Sequence, residues 1–171
     1  MLPYVPLIFA GAEWAASSPF RYFTGHASSK LAAAVRRGRR EEFVAFGWDA
    51  DEVPDPQASA TFETSRWNWE ERTCEPHAGV LAWYRQLLAL RRERATLRDG
   101  DREAVEVHHE PAAGWISVSR GPIGVFANLG SEQVSIEVSD EIRLAWPPDL
   151  TAERGRLVLP PDGVIVTEGS T

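Results

Sequence analysis

The sequence has 171 residues, 43% of them apolar, with a net charge of -7 and one cysteine. That length holds one sizeable domain or two small ones around a real core, and the negative charge argues against nucleic acid or an anionic membrane as partner. A lone cysteine excludes an internal disulfide, so a reduced, cytoplasmic setting is expected.

The chain begins MLPYVPLIFAGAEWAA, an apolar run followed by small residues. No Lys or Arg precedes the run and Pro3 and Pro6 interrupt it, which argues against an export signal. The run is too short to span a bilayer. Within it, VPLIF at 5–9 reads as a strand buried on both faces, the pattern of a parallel sheet.

Residues 9–26, FAGAEWAASSPFRYFTGH, carry five aromatic residues, one arginine and one histidine behind that run. The segment follows the C-terminal end of a parallel-type strand, where open and barrel α/β folds place their binding loops. Trp14, Phe20, Tyr22 and Phe23 suit the apolar faces of sugar rings, or else they pack the loop onto a neighbouring helix. Glu13 is a candidate carboxylate by type. His26 is placed to donate to a ligand hydroxyl or to mark a helix entry. The residues alone leave these alternatives open.

A helix is predicted from Ser28 to Gly47, weakened at Gly38, with Leu31, Val35, Phe43 and Phe46 near one face. Its RRGRREE run (36–42) reads as an ion-paired, solvated face rather than a nucleic-acid patch. Residues 48–74, with Pro54, Pro56, Trp67 and Trp69, predict an irregular but packed excursion. A second helix is predicted over 75–97, with Pro76 in its first turn and arginines gathered at its end. After Asp99-Gly100-Asp101 the texture becomes seven short alternating runs, the pattern of a small antiparallel sandwich. The boundary is therefore placed between 1–98 and 99–171.

Glycoside hydrolysis needs two carboxyl groups facing each other across the scissile bond. Asp49, Asp51, Glu52 and Asp55 qualify by type only, being acids of a loop rich in proline. His108 and His109 are adjacent in a predicted strand and point to opposite faces, so they cannot chelate one metal together. No metal site is assigned, and no P-loop, dinucleotide fingerprint, zinc-type cysteine pair or nucleophile elbow occurs.

The segments PLIFAGAEW, PFRYFTGH, VRRGRREEFVAFGW, VPDPQ, TFETSRWNW and LAWYRQLLALRR, in that order over residues 3–94, resemble the C-terminal third of the maltooligosyltrehalose trehalohydrolase family, in glycoside hydrolase family 13 of the α-amylase clan. The resemblance implies an α+β chain: the last strand and helices of a (β/α)8 TIM barrel, then an all-β antiparallel sandwich over 99–171. It implies a retaining hydrolase that cleaves the α-1,4 bond next to a terminal trehalose unit, with no redox or nucleotide cofactor. Glu13, Trp14, Phe20, Tyr22, Phe23 and His26 would then form the cleft lip. The family's three catalytic acids, on the fourth, fifth and seventh barrel strands, correspond to no position here. No catalytic residue is therefore assigned, and the chain alone is expected to be inactive. Two motifs depart from the family: Gly11-Ala12-Glu13-Trp14 stands for GEEW and Phe23-Thr24-Gly25-His26 for FTDH. Two alternatives are a noncatalytic maltooligosaccharide-binding module, with Trp14, Tyr22, Trp115 and Trp146 as platform, and a split-barrel subunit that joins an N-terminal barrel portion.

Overall fold

The computed structural model describes residues 2–169. The chain forms two compact units, one from Phe9 to Leu81 and the other from Ala82 onward together with the residues before Phe9.

The first unit is built on α1 (Ser29–Ala45). The Ser28 hydroxyl accepts from the Leu31 N–H at 3.4 Å, and Gly47 at φ 86° follows the last turn. The predicted weakness at Gly38 does not interrupt the helix. Arg37 pairs with Glu41 at 3.8 Å and Arg39 with Glu42 at 2.8 Å, the solvated ion-paired face expected from the charge pattern. No residue of α1 is buried, so its apolar stripe lines a surface instead of a core. The excursion that follows is ordered by α2 (Ser59–Thr64) and a short 3-10 turn, Trp69–Thr73; another such turn, Ala12–Trp14, precedes α1.

VPLIF does not form the predicted strand. Val5 is 92% and Leu7 98% exposed, and among the described residues no ladder partner flanks the segment. A strand exists through its neighbours' hydrogen bonds, and apolar composition cannot replace them. Arg91 holds the preceding backbone, donating to the carbonyls of Leu2 at 3.1 Å and Tyr4 at 2.9 Å.

The second predicted helix is two: α3 (His77–Glu93) and α4 (Ala95–Arg98), separated by Arg94 in extended backbone. The compact units divide within α3, between Leu81 and Ala82. The reason is packing: Leu90 and Leu97 are buried with Ile123 and Val166, and Trp83 and Leu87 lean on the same cluster. Arg120 secures α4 from the sheet, donating to the carbonyls of Leu97 at 3.3 Å and Asp99 at 2.6 Å.

All seven predicted strands form: β1 (Glu106–Glu110), β2 (Trp115–Arg120), β3 (Ile123–Asn128), β4 (Val134–Glu137), β5 (Glu141–Trp146), β6 (Arg156–Leu159) and β7 (Val164–Glu168). They pair antiparallel as a five-stranded sheet in the order β1-β2-β3-β7-β5 and a two-stranded sheet β4-β6. Ile136, Leu157 and Leu159 from the small sheet are buried with Ile165 from the large one, and Phe126 and Ile142 close the cluster. A register shift between Ile142 and Leu144 brings Arg143 to within 3.0 Å of Glu168, the residue that also binds Arg94. Among the described residues no helix is long and apolar enough to cross a membrane.

Candidate functional site

The aromatic loop at 9–26 divides its rings between two tasks. Its first turn folds inward: Gly11 at φ 93° supplies a left-handed bend, and Trp14 is only 2% exposed. A Cβ on Gly11 would stand 3.1 Å from the Ala16 Cβ and 3.4 Å from the Trp67 indole nitrogen, so the bend is also a close approach. Trp14 meets Trp69 at 5.4 Å and Trp67 edge-on at 5.9 Å, and the Arg72 guanidinium lies 4.7 Å over Trp69. His77 Nδ1 lies 2.9 Å from the Trp14 carbonyl oxygen. Trp14, which the resemblance would put in a cleft lip, is buried against Trp67 and Trp69 and packs the base of the loop.

The Glu13 carboxylate turns back to accept from the Gly11 N–H at 2.9 Å, the short local bond of a turn. Glu71 accepts from the Ser17 hydroxyl and, at 3.2 Å, from the Ser17 N–H. Those bonds, led by the hydroxyl, hold Glu71 below the usual carboxylate range.

The second half of the loop faces outward. Phe20 is 65% exposed and rests edge-on against Phe9 at 4.9 Å; Tyr22 and Phe23 are part-exposed, with Phe23 against Phe62 at 5.2 Å. Phe20 and Tyr22 line one wall of an open cavity of about 310 Å³ whose far wall comes from Arg39, Phe43 and Trp48. Sequence reasoning does not point to this far wall as a site. Its signal is the spacing of Arg39 and Phe43 on one face of α1, with Trp48 just beyond the helix end.

The VPDPQ segment clamps the loop. Val53 is buried at the cavity edge, Pro56 is buried behind it, and the Pro56 carbonyl accepts from the Thr24 N–H at 2.8 Å. Gln57 accepts from the His26 N–H at 3.2 Å and donates to the Thr24 hydroxyl. His26 itself is exposed, with its ring outside the cavity lining. Arg36 Nε donates to Asp55 at 2.7 Å; that bond, then the Gln57 N–H, lowers the Asp55 pKa. Of the sequence-predicted set, then, Phe20 and Tyr22 share a cavity, Phe23 and His26 lie outside its lining, and Glu13 and Trp14 belong to the inward turn. Among the described residues no three His, Cys, Asp or Glu side chains gather to hold a metal.

No protein-family model matches the sequence. A malto-oligosyltrehalose trehalohydrolase of Mycobacterium tuberculosis (strain ATCC 25618 / H37Rv) is 40% identical over 144 residues, 84% of this chain and 25% of that protein. One of Deinococcus radiodurans is 45% identical over 122 residues, 71% of this chain and 20% of that protein. Among solved structures, a putative alpha amylase from Salmonella typhimurium superposes with a TM-score of 0.73 at 31% identity, over 97% of this chain and 28% of that one. The chain spans about a quarter of the length of the curated relatives it matches. By homology, therefore, it belongs with the C-terminal part of the malto-oligosyltrehalose trehalohydrolases, and its structural neighbours are α-amylase-family enzymes.

Proposed function

We propose that this chain is the C-terminal part of a retaining glycoside hydrolase that cleaves the α-1,4 bond next to the terminal trehalose unit of maltooligosyltrehalose. In this reading residues 1–98 are the end of the barrel and 99–171 the sandwich that follows it in sequence. The observation that carries the reading is 40% identity, over 84% of the chain, to a protein of that name.

Retaining hydrolysis needs one carboxylate to attack the anomeric carbon and a second, about 5 Å away, to protonate the departing oxygen and then deprotonate water. The carboxylates described here have other tasks: Glu13 on the Gly11 N–H, Glu71 on Ser17, Asp55 on Arg36 and Glu168 on two arginines. The acids are assigned to the barrel portion upstream, and this chain contributes the cleft lip through Phe20, Tyr22 and Phe23, with His26 beside them. Such rings fix the sugar's position, which is a large share of what an active site supplies. No redox or nucleotide cofactor enters this chemistry, and the setting is cytoplasmic.

A chimera tests the reading. Residues 2–169 replace the matching quarter of the Mycobacterium tuberculosis relative, and trehalose release from maltooligosyltrehalose is measured. Release near the parent's rate supports the proposal. A folded chimera that hydrolyses maltotetraose but not maltooligosyltrehalose overturns the substrate, and sustained trehalose release by the pure 171-residue chain overturns the placement of the acids upstream.

The exposure of Val5 and Leu7 favours one further reading, in which 5–9 docks on a barrel supplied by another polypeptide. Coexpression with the barrel half of a relative then yields a stable complex; separate elution of the two on size-exclusion chromatography refutes it.

A further inference from the structure

The cavity beside the aromatic loop has features that a packing gap would not need. Arg39 is held between two rings, its guanidinium carbon 5.0 Å from the centre of Tyr22 and 4.5 Å from that of Phe43. Glu42 accepts from it at 2.8 Å, yet the Arg39 side chain keeps 30% of its surface exposed. A stacked and ion-paired guanidinium has lost its rotamer freedom before any ligand arrives, and its remaining N–H groups point in fixed directions. Trp48 stands edge-on to Phe43 at 5.2 Å and is 53% exposed, so the second wall is an aromatic corner. Arg21, Glu52, Val53 and Pro54 complete the lining.

We propose that this cavity is a subsite for one neutral glucosyl ring, in which Tyr22 and Trp48 cover the apolar face of the sugar and Arg39 donates to its hydroxyls. Glu52, in the same lining, accepts a hydrogen bond from a hydroxyl. The proposal deepens the carbohydrate reading above and rests on it.

Charge selects a neutral ring over an anion, and size and lining suit a ring of that kind. The lining arginines are balanced by Glu52 in the same lining and by Glu42 on Arg39, so no net positive field is left for a phosphate or carboxylate. The volume, about 310 Å³, lies at the small end of ligand sites, and exposed aromatic walls with a few placed polar groups are their usual lining. The far wall also explains why the loop is clamped by VPDPQ: Tyr22 must keep its place against Arg39 for the corner to stay open.

The test uses the full 171-residue chain with trehalose and maltotetraose as probes, followed by intrinsic tryptophan fluorescence and calorimetry, with inorganic phosphate as a third titrant. Saturable binding of a sugar is expected, weakened ~10-fold or more in Trp48→Ala and in Arg39→Lys, which keeps the charge but loses the stacked fork. Arg37→Lys, on the same helix but outside the cavity, keeps the wild-type affinity. Circular dichroism and the melting temperature confirm that each variant folds. Sugar binding unchanged in both cavity variants overturns this subsite while leaving the carbohydrate reading to the chimera. Binding of phosphate in preference to either sugar, or no sugar binding at tens of millimolar, overturns it as well.

Discussion

The side-chain oxygen of Gln57 accepts a hydrogen bond from the backbone N–H of His26 at 3.2 Å, and its amide nitrogen donates to the Thr24 hydroxyl. One side chain from the VPDPQ segment thus ties down the far end of the aromatic loop. Gln57→Ala removes both bonds, at about 0.5–1.5 kcal/mol each. The expected result is a drop of a few degrees in melting temperature together with faster hydrogen exchange at the His26 amide. An unchanged exchange rate at His26 would show that the loop is held by other contacts.

Trp14 carries the opposite end of the loop. With 2% of its surface exposed, Trp14→Ala leaves a large cavity among Trp67, Trp69 and Arg72 and is expected to cost about 3–5 kcal/mol. Trp14→Phe should cost clearly less. Chemical denaturation monitored by circular dichroism checks both; a loss under about 1 kcal/mol in the alanine variant would mean the indole cluster holds nothing together.

Legibility differed by element, for physical reasons. The seven strands were readable because each alternates and is bounded by turn residues, and α1 because Ser28 and Gly47 supply its caps. VPLIF forms no strand here because its composition asks for a burial that only neighbouring strands supply. The break at Arg94 had no local signal: the helix stops there because Leu97 must reach Ile123 and because Arg94 itself is drawn to Glu168, 2.6 Å away. At the site, Phe20 and Tyr22 were legible as a cluster, whereas Arg39 and Trp48 meet them only through the fold. The burial of Trp14 followed from Gly11, whose φ of 93° a sequence does not announce.

Glu168 joins Arg94 from the end of α3 to Arg143 on β5, and the Arg94 hydrogen bonds, with the nearby positive charges, lower its pKa. A carboxyl whose folded pKa is depressed contributes stability above its ordinary value, 4.5 here, and loses it as pH falls through the lowered folded value. Asp55, lowered by Arg36, adds to the same acid limb below its ordinary 3.8. The melting temperature should therefore be level from neutral pH to about 5 and fall below about 4.5. Glu168→Gln should be less stable at neutral pH and show a shallower acid limb. An acid limb of wild-type depth in that variant would remove Glu168 from the explanation.

The exposed run at 5–9 separates what the chain needs for itself from what it needs for the hydrolase. Val5 and Leu7 bury almost nothing, so Val5→Lys and Leu7→Lys, singly or together, should shift the stability of the isolated chain by no more than about 0.5 kcal/mol. Two lysines should also lower its tendency to associate, because they break a contiguous apolar strip. In the chimera the expectation reverses. If these side chains fill a barrel wall there, each lysine brings an unpaired charge into an apolar layer, and hydrolysis and thermal stability should fall together. Wild-type stability of the double-lysine chimera would show that 5–9 stays at the surface in the longer protein too, and would count against assigning it to the barrel.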